Sequence, residues 1–255
     1  MKIKAIKKQK NGKYKLELED KSSINIYGDV ILNNDILYEK EINDKLLETI
    51  NKQNSFFEIY DKLVKDISKK FKTEYEVRKK LIDYNLPDIN IDSIINKLKN
   101  NGLINDERYA KSYIHDRLKF SNDGPYKIKI ELEKKNVDSS IIEKELSLIE
   151  HSIYDEKIKN YVSKKTSNNH KYSTNMLKKK ISNELYLLGY DSFNIDDYIT
   201  CDDDISLTHE FNKLYVKYAS KYDEAKLKEV ITRKLLQKGF FREDIAEKWE
   251  KREIS

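Results

Sequence analysis

Between residues 157 and 180 the chain carries eight lysines, Lys157, Lys159, Lys164, Lys165, Lys171, Lys178, Lys179 and Lys180, and no acidic residue. Tyr161, His170 and Tyr172 are interleaved with them. Ammonium groups at this density neutralise phosphates and release counterions, which is the chemistry of sequence-independent polyanion binding. Arginine is scarce, six of the 50 basic residues, so bidentate reading of guanine is not the expected mode. A second cluster, Asp196, Asp197, Asp202, Asp203 and Asp204, lies in a span without bases. Carboxylates could hold a divalent metal such as magnesium, and a metal-dependent nuclease is one reading of them. The plainer reading is a linker whose acids cap helices. Imitation of phosphate charge toward a basic partner is a third.

Other catalytic patterns are missing from the sequence. Gly12, Gly28, Gly102, Gly124, Gly189 and Gly239 are isolated, so neither a phosphate-cradling loop nor a dinucleotide fingerprint forms. His115, His151, His170 and His209 are well separated, and His209-Glu210 is not followed by the second His of a zinc protease. Cys201 is the single cysteine and has no activating base near it in sequence. The chain is therefore read as a binding protein and not an enzyme, with no resident cofactor or metal.

Such a surface needs elements to hold it. In 255 residues there are six Gly and two Pro, which leaves long stretches without punctuation and favours helix. Charged residues make up 37%, but 18 Tyr and 8 Phe supply the buried area that a disordered chain lacks. No apolar run suggests a signal peptide or a membrane span, and one cysteine excludes a disulfide framework, so the reducing cytoplasm is the expected location. At the start, Ile3 and Ala5 alternate with lysines, and Tyr14, Leu16 and Leu18 alternate with charged residues across Asn11-Gly12. That pattern predicts a hairpin with a type I′ turn, and Ile24 and Ile26 beyond Asp20-Lys21 predict a third strand.

From about residue 30 the period is helical, and it repeats. VRKKLIDYNL (77–86), IKIELEKKNV (128–137), ISNELYLLGY (181–190) and ITRKLLQKGF (231–240) align on Leu81, Leu132, Leu185 and Leu235, at steps of 51, 53 and 50. Helical segments precede and follow each block, so the unit is three helices of roughly 10–15 residues, used four times. Asn85, Asn136, Gly189 and Gly239 fall where each middle helix must end, and both residue types tolerate a left-handed C-terminal position. The expected fold is mainly α: tandem three-helix repeats stacked into an elongated curved solenoid behind a small antiparallel β element. The expected bounds are 1–50 for the β-rich element with a connecting helix, then repeats at 51–104, 105–152, 153–202 and 203–255.

Residues 102–137, GLINDERYAKSYIHDRLKFSNDGPYKIKIELEKKNV, are the most distinctive stretch. Gly102, Leu103, Ile104, Asp106, Glu107, Arg108, Tyr109, Ala110, Tyr113, Arg117, Gly124, Pro125, Lys127 and Leu132 match in order and spacing the central pattern of the RecX family, regulators of the RecA recombinase. The N-terminal sheet, the repeats and the total length resemble the longer, Gram-positive members. Where the family often has Lys-Gly at the end of the middle helix, this chain has Lys135-Asn136, and its third and fourth repeats match weakly. Read without the family, Asp106 is an N-cap, Tyr109, Ala110, Tyr113 and Ile114 form one apolar face, and Pro125 opens a helix.

The resemblance implies a protein that binds the RecA filament on single-stranded DNA, hinders strand exchange and filament assembly, and alters ATP hydrolysis by the recombinase. Double-stranded DNA is a further ligand left open, no membrane partner is implied, and a monomer is expected. Lys178, Lys179 and Lys180, with Arg78, Lys79 and Lys80, open middle helices as Lys127 and Lys129 do, and are candidate contacts to DNA or to acidic filament surfaces. Arg108 and Arg117 are further candidates, for a partner or for acids on neighbouring helices. The rival reading is a general, sequence-independent nucleic-acid-binding helical protein without recombinase specificity.

Overall fold

The structure, a computed structural model, describes residues 1–253 apart from Lys40, Asn85, Pro87, Ser192 and Thr200. It forms two compact units, Met1–Tyr109 and Ala110–Ser255. The first begins with the expected sheet: β1 (Ile3–Lys8), β2 (Tyr14–Leu18) and β3 (Ser23–Ile26), antiparallel in the order β1-β2-β3. The hairpin turn is not type I′, because of Asn11 and Gly12 only Gly12 takes a positive φ, +82°. Gly12 N–H donates to Gln9 O and Gln9 N–H to Lys13 O, which makes Lys10-Asn11 the centre of a tight turn with Gly12 as the left-handed residue that restores pairing. The Asn11 side chain accepts from Lys13 N–H at 3.0 Å and holds the same loop.

Leu16 and Leu18 of β2 and Ile26 of β3 bury one sheet face against α1 (Gly28–Asn33) and the first half of α2 (Asp44–Lys69), through Val30, Ile31, Ile50 and Phe57. α2 is 26 residues long and runs unbroken through the boundary expected at residue 50. Its second half turns Leu63 and Ile67 into a different core, with Val77 and Leu81 of α3 (Glu74–Ile82) and Ile91, Ile94, Ile95 and Leu98 of α4 (Asp88–Asn100). One helix thus belongs to both the sheet and the first repeat. The predicted helix end at Asn85 lies outside the described residues.

The later repeats follow as α5 (Asp106–Phe120), α6 (Pro125–Glu133) and α7 (Ser139–Ser147); α8 (His151–Ser167) and α9 (Thr174–Leu187); and α10 (Asp203–Tyr218), α11 (Glu224–Leu236) and α12 (Arg242–Glu253). Among the described residues the third repeat has no full third helix: Asp196–Tyr198 make a single 3-10 turn. Asn194 explains the stop, since its side chain accepts from Asp196 N–H at 3.0 Å and offers the backbone a turn in place of a helix. Ile195 and Ile199 still reach the core that Leu177, Ile181 and Leu185 share with Tyr154, Ile158 and Val162.

All four repeat leucines, Leu81, Leu132, Leu185 and Leu235, are 0% exposed. They do not stand at one helical position, however. α3 and α6 have nine residues each, whereas α9 has 14 and α11 has 13, so the last two middle helices gain an extra turn ahead of the leucine. Their ends are as expected: Asn136 (φ +57°), Gly189 and Gly239 (both +89°) take the left-handed position. The next residue, Val137, Tyr190 or Phe240, is buried and donates its N–H back to Leu132, Leu185 or Leu235. Asp106 is not the N-cap of α5. Asn105 is, accepting from Arg108 N–H at 2.8 Å, while Asp106 accepts from Glu74 N–H at 2.9 Å and caps α3 instead.

In the second unit the middle helices meet end to end. Gly124 N–H donates to Leu188 O at 2.6 Å, Tyr126 N–H to Gly189 O at 3.1 Å, and Ser173 N–H to Lys238 O at 3.1 Å. A Cβ on Gly189 would fall 2.4 Å from Lys127 N, whereas one on Gly12 meets open space. Alanine at either site carries a left-handed cost of about 1–2 kcal/mol. Gly12→Ala is therefore expected to lower unfolding free energy by about 1 kcal/mol, and Gly189→Ala by about 3 kcal/mol or more because Lys127 must also move. Urea unfolding of the two variants checks this; equal losses would show that the helix ends do not bear on one another.

Candidate nucleic-acid interface

The lysine run from 157 to 180 spans α8, the loop after it and the start of α9. Asn168 Nδ2 donates to Lys164 O at 2.9 Å and closes α8. In the loop, Asn169 Oδ1 accepts from Tyr172 N–H at 3.1 Å and its Nδ2 donates to Tyr172 O at 2.7 Å, so one side chain folds the segment back on itself. α9 then starts from two side-chain caps. Ser173 Oγ accepts from Met176 N–H at 3.3 Å, and Asp203 accepts from both Thr174 N–H and Thr174 Oγ at 2.7 Å.

Between α8 and α9 this leaves an open groove of about 490 Å³ whose walls include Tyr161, Lys164, Lys165, Asn168, Lys171, Tyr172, Lys180 and Glu184. Lys171 and Lys180 hold their ammonium groups 5.1 and 4.7 Å from the Tyr172 ring centroid, and Lys165 stands 5.3 Å from that of Tyr161. The Tyr172 hydroxyl is held below its ordinary value by a hydrogen bond from Lys171, with the charges of Lys171, Lys180 and Lys238 adding to it. Glu184 is the one acid of the groove and is already engaged, by Lys165 at 2.8 Å and by the Tyr161 hydroxyl at 2.7 Å. Burial pushes its carboxyl up, but these hydrogen bonds and the charges of Lys165 and Lys180 together outweigh burial and leave it lowered. Among the described residues, no carboxylate lies within ion-pair distance of Lys164, Lys171 or Lys180. A groove with three cations free of carboxylates, two of them over the Tyr172 ring, suits a phosphate backbone.

Most of the other sequence candidates are taken up inside the protein. Arg78 pairs with Asp92 at 2.8 Å, Lys129 with Glu143 at 2.7 Å and Lys178 with Asp196 at 2.6 Å. Each stands five residues after its N-cap, Thr73, Gly124 or Ser173, so the recurring basic position ties a middle helix to the segment that follows it. Lys80 pairs with Asp66. Arg108 donates to Gly102 O at 2.8 Å and lies over the Phe71 ring. Lys79 and Lys179 are exposed without a carboxylate partner among the described residues, and Lys180 alone of the ten candidates lines the groove. Lys157, also in the run, turns inward and donates to Leu118 O and Ser121 O at 2.7 Å; burial lowers its ammonium from the ordinary value. Lys164, Lys165 and Lys171 were visible as part of the run, but nothing local separates them from Lys157 and Lys178.

The aspartates near residue 200 have partners of their own. Asp196 holds Lys178, Asp202 caps α10, Asp203 caps α9 and Asp204 pairs with Lys248 at 2.6 Å. No group of three His, Cys, Asp or Glu among the described residues could hold a metal ion. Burial pushes the Cys201 thiol up, away from the thiolate a nucleophile needs. Among the described residues no helix is long and apolar enough to cross a membrane.

A family model described as "RecX, second three-helix domain" matches residues 105–146. The regulatory protein RecX of Streptococcus agalactiae serotype Ia is 32% identical over 254 residues, covering 96% of this chain and 97% of the relative. The chain belongs to the RecX family. RecX of Lactococcus lactis subsp. lactis is 30% identical over 264 residues, with 96% of both chains covered. These full-length matches agree with the likeness to the longer members. A crystal structure of regulatory protein RecX superposes with a TM-score of 0.65 at 24% identity, covering 75% of this chain and 95% of that one, and shares the fold. The chain is thus a RecX-family regulatory protein built of three-helix repeats.

Within the RecX match, Asp123 is 6% exposed and clasped by Lys127 at 2.7 Å and Arg117 at 3.3 Å, so both of these candidates serve the join between α5 and α6. Burial pushes this carboxyl up, but hydrogen bonds from Lys127 and Ser121 and the charges of Lys127 and Arg117 leave it below the usual range. A depressed folded value means stability that is fully present above the unfolded value of about 4 and is lost as pH falls through the folded one. Asp123→Asn is expected to cost about 2 kcal/mol at neutral pH. Urea midpoints should converge with the parent's as pH falls through the depressed folded value and the parent loses its own clasp. A gap that persists unchanged in acid would show that the charge on Asp123 is not what matters.

Proposed function

We propose that this chain regulates a RecA-type recombinase by binding the filament that the recombinase forms on single-stranded DNA. The α8–α9 groove receives the DNA backbone. The observation that carries the reading is a groove in which Lys164, Lys171 and Lys180 have no carboxylate partner among the described residues, with Lys171 and Lys180 over the Tyr172 ring, in a member of a family whose relatives are regulatory proteins. The protein acts by occupancy: it hinders strand exchange and filament growth, and ATP hydrolysis belongs to the recombinase. It works in the cytoplasm, as a monomer, within recombination and DNA repair. The described residues offer ion pairs, caps and a cationic groove, which suits binding and not bond-breaking.

The groove by itself is chemistry for any single strand. That supports the rival reading, a general nucleic-acid binder, and the two differ in how coated and bare DNA are treated. The deciding measurement is ATP hydrolysis by the recombinase on single-stranded DNA while the protein is added to preformed filaments. Inhibition far below one molecule per recombinase subunit supports the filament regulator; no effect until the DNA itself is saturated overturns it.

The variant Lys164→Glu/Lys171→Glu/Lys180→Glu tests the groove. It changes exposed or half-exposed residues without carboxylate partners, so its helical circular dichroism is expected to match the parent's. Filament affinity should fall by about tenfold or more, and the log–log salt dependence should flatten by about two, since each lost single-strand phosphate contact contributes about 0.7. Unchanged affinity and slope in the folded variant would remove the groove from the interface.

A further inference from the structure

A second cavity, of about 500 Å³, lies where the N-terminal end of α8 meets the end of α9. Its chemistry is the reverse of the groove's. Glu150, Asp155 and Asp191 stand at its exposed rim beside His151, and no lysine or arginine among the described residues lines it. Its inner wall holds Tyr154 and Tyr190, 8% and 4% exposed, with hydroxyl oxygens that have no hydrogen-bond partner among the described residues. Their rings meet edge to face, centroids 6.4 Å apart at 78°. Burial, with the charges of Tyr154 and Asp123 behind it, pushes the Tyr190 hydroxyl up to about 12, so it stays a neutral phenol at any working pH.

A buried hydroxyl without a partner has given up its hydration for nothing, and such groups are rare unless something else completes them. Phenol oxygens accept from N–H donors, ring faces attract cations, and carboxylates at the mouth select positive charge. The volume falls within the range of small-ligand pockets. We propose that this pocket takes a guanidinium side chain, an arginine presented by the protein component of the nucleoprotein partner. The inference rests on the proposed function and deepens it. α8 supports the choice of a protein source over a free polyamine. From Tyr154 in the pocket to Lys164 in the groove is ten residues, about 15 Å along one helix. A surface that offers anionic and cationic sites at that spacing fits a strand of phosphates coated with protein, which presents both signs together.

The test uses the full chain with ring-labelled tyrosine, the Tyr154 and Tyr190 signals being assigned from Tyr154→Phe and Tyr190→Phe. N-acetyl-arginine methylamide is titrated to millimolar concentration, with N-acetyl-norleucine methylamide and spermidine as comparisons. The expected result is a saturable shift of both signals with the arginine derivative, weaker with spermidine and absent with norleucine. It should be lost in Glu150→Gln/Asp155→Asn/Asp191→Asn. That variant is also expected to bind recombinase-coated DNA about tenfold more weakly while holding bare DNA at least as well as the parent. No shift with arginine, an equal shift with norleucine, or tighter binding of spermidine would overturn the proposal. Loss of the arginine titration alone overturns the pocket and leaves the proposed function standing. A parent chain that binds coated and bare DNA alike overturns that function, and the assignment of the cation to the protein coat goes with it.

Discussion

The second unit depends on how its middle helices meet. A helix N-terminus carries backbone N–H groups with no partner inside the helix, and a C-terminus carries carbonyls in the same condition. Here each satisfies the other across repeats: Gly124 and Tyr126 donate to Leu188 and Gly189, and Ser173 donates to Lys238. The approach is close enough that Gly189 and Gly239 have no room for a side chain, a Cβ on Gly239 falling 2.5 Å from Ser173 Oγ. Position in one repeat is therefore set by backbone in the next. Tyr172, whose ring underlies the cationic groove, immediately precedes the Ser173 cap and is fixed by the same contact.

Side-chain caps add a second tie, and its one exception has a chemical reason. The residue that opens the next repeat caps the first N–H of the preceding middle helix: Asp106 for Glu74, Asp203 for Thr174. In the remaining pair the middle helix opens with Pro125, which has no N–H to satisfy, and the residue at the start of α8 is His151. Asp106 bears a cost for this, since burial raises its carboxyl while the bond from Glu74 N–H offsets only part of that rise. Of the aspartates near residue 200, which looked like material for a metal site, Asp202 and Asp203 are explained by the same capping logic and Asp196 and Asp204 by pairing with lysines.

Much of this was legible in the sequence, and the limits follow from range. The hairpin, the four buried leucines and the left-handed helix ends at Asn136, Gly189 and Gly239 each depend on a few neighbouring residues. The lost third helix of repeat 3 turned on an Asx turn at Asn194 that competes with helix, and the turn at Asn11 on a third loop residue, Lys10. Which lysines remain available could not be read locally at all. Lys178 meets Asp196, 18 residues on, and Lys157 meets carbonyls 36 and 39 residues back. A lysine run shows that cations are plentiful; only tertiary partners decide which of them are consumed as struts.

That distinction bears on specificity. A net charge of +5 on 255 residues is too small to hold DNA by bulk attraction, and repeat 3 separates its signs along one helix. Under the proposed function, bare single-stranded DNA offers phosphates to the groove of Lys164, Lys171 and Lys180, while Glu150, Asp155 and Asp191 would repel it at the other end of α8. A coated strand presents cations as well as phosphates and can engage both ends. Discrimination between partners is a difference of affinities, and a repulsive element adds to it as surely as an attractive one. On that proposal the acidic pocket would work in the same direction even when empty, because it would weaken the competing complex that the groove alone forms.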